Sequence, residues 1–155
     1  MTRPQIGDPA PNFTLEGDAG PISLGDFAGR KLVLYFYPKD DTPGCTNQAR
    51  DFSGAIADFA VAGAGVVGVS RDSVAAHARF RAKHNLAIDL GADEAGTVTE
   101  AFGVWVEKAM YGRKYMGIER TTFLIDTDGR ISAMWSKVKV PGHIAQVLAA
   151  VRALG

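Results

Sequence analysis

The amino-acid sequence predicts an α/β fold in which a mixed central sheet is flanked by helices. Residues 31–37 and 65–70 are apolar runs separated by a helical pattern, and a right-handed crossover makes such strands a parallel pair. Residues 121–126 and 130–135 flank a turn signal, Asp-Thr-Asp-Gly, and predict a hairpin that adds antiparallel strands. We therefore expect parallel and antiparallel strands in one sheet.

Local patterns place the other elements along the chain. Apolar residues alternate in the strands and recur at intervals of three and four in the helices. The predicted elements are a β-hairpin over 12–24, a helix that begins after Thr42 and ends at Gly63, a helix from Asp72 or Ser73 to about Asn85, a strand at 88–90, a short helix at 97–102, loop and the start of a strand over 103–119, and a closing helix over 141–154. This order looks like a thioredoxin fold with an N-terminal β-hairpin extension, and we expect residues 1–155 to form a single domain.

Composition narrows the class of protein. Its 17 Lys and Arg balance 17 Asp and Glu, which argues against nucleic acid or an anionic membrane as the main partner. No apolar run approaches the ~18 residues that a membrane span needs, and the first residues lack the apolar region of a signal peptide. One cysteine cannot form an internal disulfide, so we expect a reducing, cytoplasmic setting.

The single cysteine, Cys45, follows the first buried strand at a predicted helix start. Thr42 fits the N-cap position and Pro43 the first helical position, where its missing N–H is no loss. A helix N-terminus carries partial positive charge and free N–H groups, which favour a thiolate. A buried structural cysteine is the competing interpretation. The carboxyl end of a strand, where α/β folds place their sites, makes Cys45 a candidate nucleophile.

Four neighbours bear on the chemistry of Cys45. Thr42 lies three residues earlier on the same face of the first turn, so its hydroxyl can reach the sulfur or a molecule that the sulfur attacks. Gly44 leaves backbone exposed beside the sulfur, where a substrate could be bound. Asp40 and Asp41 disfavour a thiolate, and the site therefore requires a cation.

Two arginines are candidates for that cation. Arg50 lies about 140° around the helix from Cys45, at 100° per residue, and therefore points away. Arg120 precedes a strand, where the fold could bring it beside Cys45. A surface ion pair with Glu119 or Asp126 is the commoner fate of an arginine, and spacing alone leaves both possibilities open.

Two other patterns carry weaker signals. Residues 63–68, Gly-Ala-Gly-Val-Val-Gly, fit the spacing of a dinucleotide-binding loop, but they follow a helix and enter a strand, the reverse of the required order. We therefore reject nucleotide binding. No histidine has metal-ligand spacing with another histidine or with the cysteine; the three are His77, His84 and His143. His77 and His84 fall on one helix with an expected partly exposed face, and a cysteine–histidine hydrolase pair stays open as an alternative.

The residues around Cys45 resemble the active-site signature of peroxiredoxins. Pro38, Thr42 and Cys45 match its Pro-x-x-x-Thr-x-x-Cys spacing, and the longer string from Tyr35 resembles the branch called peroxiredoxin Q or bacterioferritin comigratory protein. Further matches span nearly the whole chain, at residues 7–13, 65–70, 102–105 and 111–126. The resemblance implies a thiol-dependent peroxidase that needs no cofactor and no metal.

The resemblance also implies a role for each matched residue. Cys45 is the peroxidatic cysteine, whose thiolate attacks the terminal peroxide oxygen and becomes a sulfenic acid. Thr42 hydrogen-bonds the peroxide, and Pro38 shields the sulfur. Arg120 stabilises the thiolate and the charge that develops on the leaving oxygen. Gln48 helps to orient that arginine.

The chain departs from many peroxiredoxins at the second cysteine. Relatives that resolve the sulfenic acid internally carry a cysteine five residues after the first or on the next helix, but position 50 here is Arg50 and residues 73–85 have none. Residues five apart on an intact helix are separated by ~7.5 Å of rise, farther than a disulfide spans, so such relatives must unwind. We infer a one-cysteine cycle in which an external thiol attacks the Cys45 sulfenic acid.

The expected activity is reduction of hydrogen peroxide or organic hydroperoxides to water or alcohol. The expected reductant is thioredoxin, glutaredoxin or a small thiol, and the resemblance implies a monomer or weak homodimer. Two alternatives stay open. A thioredoxin-like disulfide reductase is disfavoured because Gln48 stands where a Cys-x-x-Cys motif needs its second cysteine. A non-catalytic redox sensor would use oxidised Cys45 to dock a partner.

Overall fold

The computed structural model describes residues 3–155. Its strands are β1 (Thr14–Gly17), β2 (Ile22–Ser23), β3 (Lys31–Phe36), β4 (Ala64–Ser70), β5 (Asp89–Ala92), β6 (Trp105–Met110), β7 (Arg113–Ile118), β8 (Thr121–Ile125) and β9 (Ile131–Trp135). Its helices are α1 (Pro43–Gly54), α2 (Ile56–Val61), α3 (Val74–His84), α4 (Thr97–Ala101) and α5 (His143–Ala153), and a 3-10 turn, Leu24–Phe27, follows β2. Among these described residues, no helix has the length and apolar character needed to cross a membrane.

Within residues 3–155, seven strands form one mixed sheet in the order β2-β1-β5-β4-β3-β8-β9. β3 pairs in parallel with β4, and β4 with β5, while the other neighbours are antiparallel. The parallel β3–β4 pair and the β8–β9 hairpin confirm the predicted mixed sheet. The predicted N-terminal hairpin is also present, and its strand β1 pairs with β5.

Two apolar cores lie on opposite faces of this sheet, and alternate residues of β3 divide between them. Val33 and Tyr35 enter the core that α1, α2, α3 and α5 cover, and this core includes Cys45. Leu34 and Phe36 enter the core that α4 and the 3-10 turn cover. β3 is therefore apolar along its whole buried length, as expected of a strand covered on both faces.

The predicted helix over residues 43–63 is two helices. α1 ends at Gly54, and α2 begins one residue after Ala55. Ala55 has φ −102° and ψ 5°, and its N–H is shared among three carbonyls of the last turn. Glycine has a low helix propensity, which permits the break. The apolar spacing continues across it because both helices pack on the same core.

The segment 103–119, predicted as loop with the start of a strand, contains a complete hairpin. β6 and β7 are antiparallel and pair outside the main sheet. Tyr111 and Gly112 join them, and both have positive φ, at 53° and 77°. Such turns usually carry Asn-Gly or Asp-Gly, so tyrosine gives no turn signal. Most residues of both strands are partly or fully exposed, so the apolar alternation that marks a strand is missing as well.

The remaining boundaries agree with the predicted ones to within a few residues. Ser73 is the N-cap of α3 and accepts a hydrogen bond from the backbone N–H of Ala76. Asn85 ends that helix in the left-handed conformation, with φ 51°. Gly63 follows α2 with φ 82° and leads directly into β4, which is the element order that the sequence analysis expected for this glycine-rich string.

Candidate active site

Cys45 lies in the first turn of α1, just beyond the carboxyl end of β3. Thr42 has the extended backbone of an N-cap residue and Pro43 occupies the first helical position, as predicted. The Cys45 residue is only 2% exposed. The structure thus holds the sulfur buried at the positive end of a helix dipole.

Arg120 supplies the cation that the sequence analysis required. Its Nη2 donates a hydrogen bond to Cys45 Sγ at 3.2 Å, and its Nη1 donates to Gln48 Oε1 at 2.5 Å. Glu119, one of the two alternative partners, forms an ion pair with Arg3 at 2.7 Å instead. The choice that spacing left open is therefore decided in favour of the cysteine.

Strand register explains how two residues 75 positions apart meet. β8 runs antiparallel to β3, with Thr121 opposite Phe36. Arg120 therefore lies just past the carboxyl end of β3, where the chain turns toward α1. Asp126, the other alternative partner, follows the far end of β8 and accepts hydrogen bonds from backbone N–H groups of its own turn.

Gly44 and Gln48 fit closely around the guanidinium. A Cβ at Gly44 would lie 3.2 Å from Arg120 Nη2, closer than ordinary van der Waals contact. Gln48 is fully buried, and within residues 3–155 its Nε2 has no hydrogen-bond partner. Its amide oxygen is thus turned to the arginine, and a glycine at position 44 leaves the room that the arginine occupies.

The side chain of Thr42 does not cap α1. Its hydroxyl donates a hydrogen bond to the carbonyl of Lys39 at 2.9 Å, and it makes no side-chain capping bond in the described structure. Because the proton is committed to that carbonyl, the oxygen lone pairs are available to accept from another O–H group. The Thr42 hydroxyl is therefore free to act as a hydrogen-bond acceptor, three residues before Cys45.

Asp40 lies in the loop between β3 and α1 (residues 37–42), just before Cys45, and belongs to a buried network. It accepts a hydrogen bond from the Tyr37 hydroxyl at 2.5 Å, and its other oxygen lies 2.6 Å from His77 Nδ1. His77 Nε2 lies 3.0 Å from the carbonyl of Gly91. Both ring nitrogens face acceptors, which suits an imidazolium. Burial opposes this charge, but Asp40, the Gly91 carbonyl and the charge of Asp72 together raise the pKa of His77.

Asp41 makes surface contacts with α3, the helix that also carries His77. It has a positive φ of 58°, and its carboxylate contacts His84 at 2.8 Å and Lys83 at 2.7 Å. Hydrogen bonds from His84 and Lys83 lower the pKa of Asp41. Both aspartates that were expected to oppose a thiolate are therefore paired with residues of α3.

The histidines have partners other than Cys45. The expectation of a partly exposed face is wrong for His77, which is fully buried because its ring joins Asp40 to β5. His143 is also buried, and its Nε2 lies 2.8 Å from Thr122 Oγ1. Burial, aided by the charge of Arg120, lowers the pKa of His143 to about 4. Across residues 3–155 no histidine is hydrogen-bonded to the cysteine, so nothing in the geometry favours a hydrolase pair.

Lys108 is a second cation that sequence reasoning missed. It lies on β6 opposite Tyr115, and its aliphatic stem packs against Gly117, where a Cβ would lie 3.3 Å from Lys108 Cδ. Burial lowers the pKa of Lys108, the like charge of Arg120 lowers it further, and the charges of Cys45 and Glu119 act in the opposite direction. No pattern pointed to Lys108 because the hairpin that places it was itself not predicted.

The fold and site define a class of protein. It is a thioredoxin-like domain with a cysteine in the first turn of a helix, beside an arginine. Residues 6–134 match the model of the AhpC/TSA family. The chain is 53% identical over 145 residues to a putative peroxiredoxin bcp of Coxiella burnetii, covering 93% of this chain and 96% of that protein. A peroxiredoxin Q structure from Xylella fastidiosa is 40% identical, with a TM-score of 0.93 over 99% of this chain and 98% of that one.

A third similar protein is the bacterioferritin comigratory protein of Xanthomonas campestris, whose structures bear on its own alkyl peroxide reduction activity. It is 46% identical, with a TM-score of 0.86 over 91% of this chain and 90% of that one. The chain belongs to the AhpC/TSA family, in the Bcp or peroxiredoxin Q branch, and has a single cysteine. It is a thiol peroxidase with a thioredoxin-like fold, and it uses a peroxide and a thiol reductant.

Proposed function

We propose that Cys45 is the peroxidatic residue of this thiol peroxidase and that an external thiol resolves its sulfenic acid. The observation that carries the proposal is the 3.2 Å contact between Arg120 Nη2 and Cys45 Sγ at the N-terminus of α1. A guanidinium at this distance favours a thiolate and has further N–H donors for a bound oxygen.

In the first half of the cycle, the Cys45 thiolate attacks the terminal oxygen of the peroxide. The S–O bond forms as the O–O bond breaks, the sulfur is oxidised, and the second oxygen leaves as hydroxide or alkoxide. A proton then converts the leaving group to water or alcohol. Negative charge moves from sulfur to the leaving oxygen, so Arg120 can stabilise the charge throughout.

The neighbours of Cys45 orient the peroxide in this proposal. Thr42 accepts a hydrogen bond from the peroxide O–H, since its own proton is donated to a backbone carbonyl. Pro38 shields the sulfur. Gln48 holds Arg120 in place through the 2.5 Å hydrogen bond. Gly44 has no Cβ, and it therefore leaves room for the Arg120 guanidinium and for a peroxide beside its backbone.

In the second half of the cycle, an external thiolate attacks the sulfur of the Cys45 sulfenic acid. The S–O bond breaks, water is released after protonation, and a mixed disulfide forms; a second thiol then releases the Cys45 thiolate and a disulfide product. Arg50, at the position of the missing second cysteine, is exposed on α1 while Cys45 is buried. Thioredoxin, glutaredoxin or a small thiol would serve as reductant.

We further propose that residues 1–155 act as one domain, as a monomer or weak homodimer, in the cytoplasm and without nucleic acid as a partner. The balanced charge of the chain supports the last point. A reducing compartment suits the cycle because small thiols and thioredoxin-like proteins are maintained there.

Two substitutions test the assignment. Cys45→Ser should abolish peroxide consumption, because no sulfur remains to be oxidised. Arg120→Ala should slow the reaction of Cys45 with hydrogen peroxide by about 10²- to 10³-fold, the usual effect of removing a charge-stabilising donor. Rapid-mixing kinetics and mass spectrometry after one equivalent of peroxide would measure the rate and identify the sulfenic acid.

Arg50→Ala is the matched control, since it removes an exposed arginine from the same helix. It should leave the rate at its wild-type value. Wild-type peroxide consumption by Cys45→Ser would overturn the assignment. A sulfenic acid that no thiol reduces would instead favour a redox sensor, and efficient insulin reduction would favour a disulfide reductase.

A further inference from the structure

A cleft of about 340 Å³ lies between the β6–β7 hairpin and the loop that begins at Pro38. Trp105, Tyr115 and Met116 form much of its apolar wall, and Lys108 lines it as well. Cys45 does not line the cleft. The cleft adjoins the site through Pro38 and through Ile118, which lies two residues before Arg120.

Two charged residues of the cleft are already engaged. Asp72 accepts hydrogen bonds from the backbone N–H of Asp40 at 2.9 Å and from the Ser70 hydroxyl at 2.5 Å. The Arg71 guanidinium lies 3.4 Å from the centre of the Trp105 ring, and it also donates hydrogen bonds to α4 and to the residue before it. The side chains of Asp72 and Arg71 therefore already have partners within the protein.

Two lysines of the cleft, Lys39 and Lys108, have no acidic partner among residues 3–155. Lys39 is exposed, whereas Lys108 is half-buried with its stem held against Gly117. A partly desolvated cation near another cation is unfavourable unless an anion joins it. The arrangement thus fits a ligand that carries negative charge.

The thiol is the co-substrate that brings such a charge. Hydrogen peroxide is neutral and small, and the proposed contacts from Arg120 and Thr42 suffice for it. A thiol attacks as the thiolate. Every reductant that reacts with Cys45 therefore brings a negative charge close to the sulfur. A second anionic group on the same thiol could form ion pairs with Lys39 and Lys108.

We propose that this cleft receives the reductant and favours a small thiol that bears a carboxylate or phosphate group. The anionic group faces Lys108 and Lys39, and the stem of the thiol lies against Trp105 and Tyr115. The inference rests on the proposed function, because a one-cysteine cycle is what requires an external thiol at Cys45. The chemistry is the second half-reaction given above: the thiolate forms the S–S bond, and the sulfenic oxygen leaves as water.

The test compares three small thiols on preformed Cys45 sulfenic acid: 3-mercaptopropionate, which is anionic, 2-mercaptoethanol, which is neutral, and cysteamine, which is cationic. Stopped-flow rate constants are expressed per thiolate, and the measured quantity is the anionic-to-neutral ratio for each variant. Lys108→Met and Lys39→Met remove one charge but keep an unbranched stem. Each should lower the ratio about three- to fivefold relative to wild type, the range of a partly exposed ion pair.

Lys114→Met is the matched control on the same hairpin, since Lys114 is 79% exposed and lies 3.7 Å from Glu107. Its ratio should equal that of wild type. Lys108→Glu should reverse the order of the anionic and cationic thiols. Raising the salt concentration should reduce the wild-type preference and leave that of the Lys108→Met/Lys39→Met double variant unchanged.

An equal ratio in wild type and the double variant would overturn the inference. It would also be overturned if the double variant slowed oxidation by a carboxylate-bearing hydroperoxide without changing the thiol ratio, because the cleft would then serve the oxidant. Both outcomes leave the proposed function intact. Failure of wild type to form a sulfenic acid with hydrogen peroxide would overturn the proposed function itself, together with this inference.

Discussion

At the residue scale, the surroundings of Cys45 are organised by charge. The helix N-terminus and Arg120 both present positive charge to the sulfur. The acidic neighbours are turned elsewhere, because Asp40 is paired with His77 and Asp41 with Lys83 and His84. The two carboxylates that precede Cys45 are therefore compatible with a thiolate at this position.

Gly44→Ala should separate activity from stability. Alanine is about 1 kcal/mol more favourable than glycine inside a helix. This gain offsets the cost of the close contact, so the free energy of unfolding should fall by no more than about 0.3 kcal/mol. The new Cβ would lie 3.2 Å from Arg120 Nη2, so the guanidinium must move and the rate of Cys45 oxidation should fall about tenfold. Urea unfolding and rapid-mixing kinetics measure the two effects.

Gly54→Ala is the control for this prediction. It lies at the other end of α1, and a Cβ there would meet nothing within 4 Å. We expect equal or higher stability with an unchanged oxidation rate. If Gly44→Ala oxidised as fast as Gly54→Ala, the close fit around Arg120 would not matter for the reaction.

At the element scale, α3 holds the loop between β3 and α1 (residues 37–42) in place. The buried contact between Asp40 and His77 connects the loop to α3, and the contact between His77 and Gly91 extends the connection to β5. Asp41 adds surface contacts to the last turn of the same helix. The loop that orients Cys45 thus depends on a helix that contributes no residue to the proposed reaction.

His77→Gln should destabilise the fold, and the effect should depend on pH. Losing one partner of a buried charged pair costs about 3 kcal/mol. The pKa of His77 is raised in the folded state, so its contribution is fully present below the unfolded value of about 6.5 and is lost as the pH rises through the folded value. Urea unfolding at pH 6 and pH 9 should therefore show a larger difference from wild type at pH 6.

His84→Gln is the control on the same helix, since its contact with Asp41 is at the surface. Its effect on the free energy of unfolding should stay below about 1 kcal/mol. A His77→Gln deficit that is the same at both pH values would show that packing of the ring, rather than its charge, holds the loop.

At the scale of the whole molecule, His143 should make the fold sensitive to acid. Its pKa is about 4 in the folded state, below the unfolded value of about 6.5. The unfolded chain therefore takes up the proton first, and stability falls as the pH decreases from 6.5 toward 4. The loss amounts to at most about 3.4 kcal/mol.

His143→Gln should remove that part of the acid sensitivity, because the amide can still meet Thr122 but does not titrate. Urea midpoints at pH 7 and pH 4.5 measure it, and the decrease should be smaller in the variant than in wild type. Parallel curves for the two proteins would mean that His143 is as easily protonated in the folded state as in the unfolded one.

Much of the fold could be predicted because its signals are local. Neighbouring residues alone predict the apolar strand β3, the turn before β9 and the helix start at Thr42-Pro43. The β6–β7 hairpin could not be predicted, because its strands are largely exposed and Tyr111 occupies a turn position that glycine or asparagine usually takes. The break at Ala55 was hidden because the apolar spacing continues through it.

The sequence by itself determined the class of fold, the position of Cys45 at a helix start and the need for a nearby cation. These follow from residues close together in the chain. The tertiary structure alone decided which cation meets the sulfur, that the two aspartates are paired with α3, and that Lys108 lines a cleft with Pro38. Each of these depends on strand register and helix packing between segments far apart in sequence, such as the pairing of β8 with β3 that brings Arg120 to Cys45.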